Sequence, residues 1–121
     1  MNDTQAGKLT GRRVLVVEDE FYLADDLRRE LIDQGAKVAG PVNTVDRARA
    51  LTSQPIDLAV LDVNLRGEMI FPLADELRKR GVPFVFTTGY APEMIPAEYH
   101  DVERWEKPFT ARQIVQALAK L

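Results

Sequence analysis

From Arg12 onward, short β-branched apolar stretches alternate with segments whose apolar residues recur at helical spacing, and this alternation restricts the chain to one fold class. RRVLVVED, AKVAGPV, IDLAVLDV, PFVFTTG and, weakest, DVERWEK read as five strands. Ala24, Leu27 and Leu31 mark a first helix that Gly35 closes as a left-handed C′ residue. Asn43 is the expected cap of a second helix running through Leu51, and Pro72 the first turn of a third that carries Leu73 and Leu77 before Gly81 stops it. Thr110 and Gln113 form a capping box for a last helix presenting Ile114, Leu118 and Leu121. Such alternation requires right-handed strand–helix–strand crossovers, so the sheet is parallel and covered on both faces. The class is doubly wound α/β. In APEMIPAEYHD, Pro92 and Pro96 interrupt any helix and predict a short, irregular connection where a fourth helix belongs.

The 121 residues suit one domain, and 45% hydrophobic with 29% charged residues is ordinary globular composition. The polar opening MNDTQAGKLTG has no basic start leading into an apolar run, so residues 1–11 are expected to be a flexible leader and 12–121 the folded domain. A cytoplasmic location follows as an expectation. No segment has the length of apolar residues needed to span a membrane, and none carries a basic face for lipid headgroups. Sixteen Lys and Arg against nineteen Asp and Glu give a net charge of −3, with no basic stripe to follow a phosphate backbone, so direct nucleic-acid binding is disfavoured. With no cysteine and one histidine, His100, thiol chemistry is excluded and a zinc site nearly so. A hard cation held by oxygen remains.

In open parallel sheets ligands bind outside the carboxyl ends of the strands. The first strand ends in Glu18-Asp19, the third in Asp62, the fourth in Thr87-Thr88, and the fifth meets Lys107-Pro108. Three carboxylates converging on one rim repel each other unless something neutralises them. Magnesium takes oxygen ligands, and together with Lys107 it cancels their charge, which leaves room for a phosphoryl group. Asp62, at the end of the most apolar strand, is the expected phosphoacceptor, since carboxylates form acyl phosphates. Asp19 is assigned to the metal directly, Glu18 through water, and the Asn64 carbonyl as a further ligand. Lys107 pairs with Asp62 at rest and with phosphoryl oxygens afterwards, Thr88 donates its hydroxyl to a phosphoryl oxygen, and Gly89 leaves the acceptor accessible.

VVEDE, IDLAVLDVN, PFVFTTG and WEKPF, in that order, resemble the receiver domains of bacterial two-component response regulators over about residues 12 to 121. The resemblance implies a flavodoxin-like five-stranded sheet of order 2-1-3-4-5. It also implies that a sensor histidine kinase transfers a phosphoryl group to Asp62 with magnesium. Thr88 and its loop would then move inward and bias a face around the fourth helix, fifth strand and last helix toward a downstream protein. Phe86 to Tyr90, FTTGY, resembles the FATGUY subgroup of alphaproteobacterial receivers, which implies a general stress pathway and a kinase of the HWE or related type. Two positions depart from the usual receiver pattern. Arg104 stands where receivers place a switch Tyr or Phe, leaving Tyr90 or Trp105 as candidates for that role, and Arg66 replaces the customary proline after the acceptor in a segment that looks shortened.

A stand-alone protein-binding switch is the leading expectation, and a phosphate sink that drains a kinase is the alternative from the same chemistry. A haloacid dehalogenase-like phosphatase also uses an aspartate at a strand end. Its second aspartate would fall two residues on, where this chain has Asn64, so a conventional enzyme is not expected. His100 reads as a surface loop residue, Trp105 as a partly buried packing residue, and DDLRRELID as a solvated helix face.

Overall fold

The computed structural model describes residues 8–89 and 94–121. In chain order it contains β1 (Arg13–Val17), α1 (Phe21–Asp33), β2 (Lys37–Val42), α2 (Val45–Leu51), β3 (Leu58–Asp62), β4 (Asn64–Leu65), β5 (Glu68–Met69), α3 (Phe71–Lys79), β6 (Phe84–Thr88), β7 (Arg104–Glu106) and α4 (Ala111–Ala119). Five strands form a parallel sheet of order β2-β1-β3-β6-β7, which is the expected 2-1-3-4-5 once the small β4–β5 hairpin is set aside. Where a fourth helix would follow β6, the described residues hold only a 3-10 turn at Ala97–Tyr99, as the two prolines predicted. No helix among the described residues is long and apolar enough to cross a membrane.

The pleat of the central strands sorts the core into two layers. Leu15, Val17, Ala59, Leu61 and Phe86 face α2 and α3, meeting Ala48, Leu73 and Leu77, with Ile95 and Tyr99 closing that side. Val14, Val16, Leu58, Val60 and Val85 face α1 and α4, meeting Leu27, Leu31, Ile114 and Leu118. Both faces of the sheet are therefore dry, which is why β3 reads as an unbroken apolar run. At Gly40, φ is 101° and a side chain would meet the Val16 carbonyl oxygen at 2.8 Å, so only glycine lets β2 pass this close to β1.

Local chemistry departs from expectation at three places. The second helix is capped by Thr44, whose hydroxyl accepts from the Arg47 amide at 3.1 Å, and not by Asn43, whose side chain instead accepts from the Arg47 guanidinium. Leu121 lies beyond the end of α4 and is exposed, while Thr110 and Gln113 form the predicted capping box. Packed structure also begins before residue 12: Leu9 is 0% exposed within the α1–α4 layer, and the Gly11 amide donates to the Gly35 carbonyl. The chain from Leu9 onward is thus part of the domain, and the leader expectation for residues 1–7 lies outside those described.

Candidate functional site

Parallel register brings four strand ends to one edge of the sheet. Val17 pairs with Leu61, Asp62 with Thr87, and Thr88 with Glu106, so Glu18, Asp62, Thr88 and Lys107 arrive at the same level. The Lys107 amide donates to the Thr88 carbonyl at 2.9 Å, which fixes the start of the lysine side chain. Its ammonium then lies 3.1 Å from Glu18 Oε2, 3.2 Å from Asp62 Oδ2 and 3.6 Å from Glu20 Oε2. Asp62 Oδ1 accepts from the Asn64 amide at 3.2 Å. Oxygen atoms of Glu18, Asp19 and Asp62 all lie within 4.8 Å of one another.

These carboxylates differ in solvation. The Glu18 side chain is enclosed and accepts from the Thr87 hydroxyl at 3.4 Å and from the Glu20 amide at 3.0 Å, whereas the Asp19 side chain keeps 15% of its surface exposed. Burial, followed by repulsion from Glu18, pushes the Asp62 carboxyl up to about 8, because Lys107 and the Asn64 amide offset only part of both. Burial alone would depress the Lys107 ammonium, but Asp62 and Glu18 outweigh it and its pKa rises. An open cleft over the cluster is lined by Asp19, Asp62, Asn64, Arg66, Gly89 and Lys107. Arg66 reaches across it to place Nε 3.5 Å from Asp19 Oδ2.

Glu18, Asp19, Asp62, Asn64 and Lys107, singled out from sequence, thus meet at one rim. Thr88 is buried at the end of β6, and the pleat sets it on the Phe86 side of the strand. Sequence reasoning named Thr87 at a strand end, Glu20 within VVEDE and Arg66 after the acceptor, but gave none of them a role at the site. Thr87 was open to discovery, since alternation along β6 puts it on the Val85 face, the face that Asp62 shares with Val60. Arg104 and Trp105 sit on β7 opposite Phe86 and Thr87, and the Trp105 indole donates to Glu103 at 2.8 Å while packing partly buried on the α1–α4 layer. Tyr90, the other candidate for the switch role, lies outside the described residues. His100 is exposed, with its ring Nε2 2.9 Å from the Ile95 carbonyl oxygen.

No protein-family model matches this chain. Its fold matches the CheY-like response regulator receiver domain from Methanospirillum hungatei JF-1, with a TM-score of 0.79, 20% identity, and 92% and 93% of the two chains covered. SdrG from Sphingomonas melonis Fr1 is 39% identical, with 93% of this chain and 95% of SdrG covered at a TM-score of 0.77. The chain belongs to the response regulator receiver domains. LytT, a sensory transduction protein of Bacillus subtilis, is 33% identical to this receiver over 113 residues, which are 89% of this chain and 47% of LytT. The receiver therefore spans about half the length of that curated relative.

Proposed function

We propose that this receiver accepts a phosphoryl group on Asp62 from the phosphohistidine of a sensor histidine kinase and signals by phosphorylation-dependent binding to a downstream protein. The observation that carries this reading is Asp62 itself: a carboxylate at the end of the central strand, oriented by Lys107 and the Asn64 amide, at the floor of an open cleft. In the transfer, an Asp62 oxygen forms a bond to phosphorus as the phosphorus–nitrogen bond of the donor breaks, and the imidazole leaves. Lys107 orients Asp62 before transfer and pairs with phosphoryl oxygens after it. Thr88 donates its hydroxyl to a phosphoryl oxygen, and Gly89 leaves the approach unobstructed.

The donor set fits magnesium. It consists of oxygen atoms only, and its three carboxylates exceed the charge of Lys107, while burial first and the Glu18 carboxylate second raise the pKa of Asp62. Asp19 and Asp62 would hold the ion with the Asn64 carbonyl, and Glu18 would contribute through water. When bound, the ion supplies positive charge to phosphoryl oxygens and to the rim. SdrG has been determined in a beryllofluoride-activated conformation, which supports a phosphoryl-dependent switch in this chain as well. A kinase of the HWE type and a stress pathway are the form of this proposal that FTTGY favours. We read the protein as a switch and not as a turnover catalyst. Intact mass after incubation with acetyl phosphate tests the proposal: wild type should gain one phosphoryl mass with Mg²⁺ and not without it, and Asp62→Asn should gain none. No gain in wild type from acetyl phosphate or from any kinase tried would overturn it.

A further inference from the structure

Arg66 occupies the first tip position of the β4–β5 hairpin with φ 54°, and it is the only non-glycine at positive φ among the described residues. Gly67 follows at φ 97°, so the turn has both central residues left-handed, a place that Asn and Gly fill with least strain. Turn chemistry gives no reason for a long cation there. Nor does packing, since the Arg66 side chain is 83% exposed. Its guanidinium nevertheless points back across the cleft to Asp19, at the rim shared by Asp62, Asn64 and Lys107.

The hairpin fixes the backbone from which this side chain projects. Asn64 pairs with Met69 and Leu65 with Glu68, the Asn64 side chain accepts from the Gly67 amide, and Glu68 Oε1 accepts from the Val45 amide at 3.2 Å, tying the hairpin to α2. The resting rim thus divides its charges in an orderly way: Lys107 lies between Glu18 and Asp62, and Arg66 covers Asp19. A divalent cation on Asp19 would repel that guanidinium while the hairpin keeps Arg66 on the cleft that Asp62 also lines. A phosphoryl group on Asp62 then offers it a new partner, and the planar guanidinium matches phosphoryl oxygens two at a time, which an ammonium does not.

We propose that Arg66 is a second cation of the phosphorylation site, which competes with Mg²⁺ for Asp19 at rest and clamps the phosphoryl group on Asp62 once Asp19 is taken. This rests on the phosphoacceptor reading and adds a residue outside the acidic cluster and Lys107. The test uses calorimetric titration of wild type, Arg66→Asn and Arg66→Lys, first with Mg²⁺ alone and then with beryllofluoride at saturating Mg²⁺. Asparagine tolerates positive φ, so the hairpin is retained. Arg66→Asn should bind Mg²⁺ about two- to fivefold more tightly, the effect of removing an exposed ion pair. It should bind beryllofluoride at least about threefold more weakly, with Arg66→Lys intermediate. The two shifts have opposite signs, whereas a distorted hairpin would weaken both. Loss of either shift, or parallel weakening, overturns the proposal. If wild type accepts neither acetyl phosphate nor beryllofluoride, the acceptor reading falls and takes this one with it. If wild type accepts both and Arg66→Asn matches it, only the role of Arg66 falls.

Discussion

Replacing Asp62 by asparagine should stabilise the metal-free protein, and by more as the pH rises. The Asp62 carboxyl, 3% exposed, titrates near 8 in place of its ordinary 3.8, through burial first and the Glu18 carboxylate second. A folded-state pKa above the unfolded one means that the folded chain holds an extra proton between about pH 4 and pH 8, so wild-type stability falls as the pH rises through that window. Below it both states are protonated and Asp62 costs nothing. Above it the whole penalty is present. A shift of about four units at ~1.4 kcal/mol each sets a ceiling of ~6 kcal/mol. The open cleft admits counter-ions that screen the repulsion, so we expect ~2–3 kcal/mol. At ~4 °C per kcal/mol for a domain of this size, Asp62→Asn should melt about 8–12 °C above wild type at pH 8.5 and level with it near pH 4. Thermal unfolding in chelator across that range measures the difference directly. Adding Mg²⁺ at pH 8 should close most of the gap by raising the wild type. A gap independent of pH, or a variant less stable than wild type at pH 8, would show that Lys107 already compensates the buried charge and would refute the reasoning.

Other consequences follow from the same geometry. Lys107→Met removes the cation 3.1–3.2 Å from both Glu18 and Asp62, and thermal melts in chelator at pH 8 should show a loss of ~3 kcal/mol, partly restored by Mg²⁺. Glu18→Gln removes one of the three acidic groups, so calorimetry should find Mg²⁺ binding weakened on the order of tenfold. Leu9→Ala opens a cavity in the α1–α4 layer and should cost ~2–4 kcal/mol in chemical denaturation; a cost below ~0.5 kcal/mol would mean that Leu9 is not part of the core. Assay with a phosphate monoester should detect no multiple turnover, and rapid turnover would revive the phosphatase alternative.

The buried parallel sheet was legible because strands covered on both faces must be apolar throughout, and RRVLVVED and IDLAVLDV carry that mark without ambiguity, whereas the strand order came only from the resemblance to receiver domains. The rim was legible for a complementary reason: Glu18, Asp19, Asp62 and Lys107 stand where packing asks for nothing polar, so their charges demand another explanation. Leu9 was hidden because one leucine among polar residues has no periodicity, and its burial is decided by α1 and α4, distant in sequence. The hairpin escaped notice because two-residue strands are too short to alternate, although Arg66-Gly67 carries glycine at its second left-handed position. Asn43 and Thr44 are both good caps, and the choice depends on where the backbone turns, which neighbouring propensities do not settle. Arg66 shows that an exposed arginine gains meaning only when the fold places it over a carboxylate.

Locating the modified residue tests the central claim most directly. Wild type treated with acetyl phosphate and Mg²⁺, then reduced with borohydride, converts an aspartyl phosphate to homoserine, and peptide mass spectrometry reports its position. Homoserine should appear at position 62 alone. Reduction at another carboxylate, or an unmodified Asp62 in protein that has gained a phosphoryl mass, would contradict that claim.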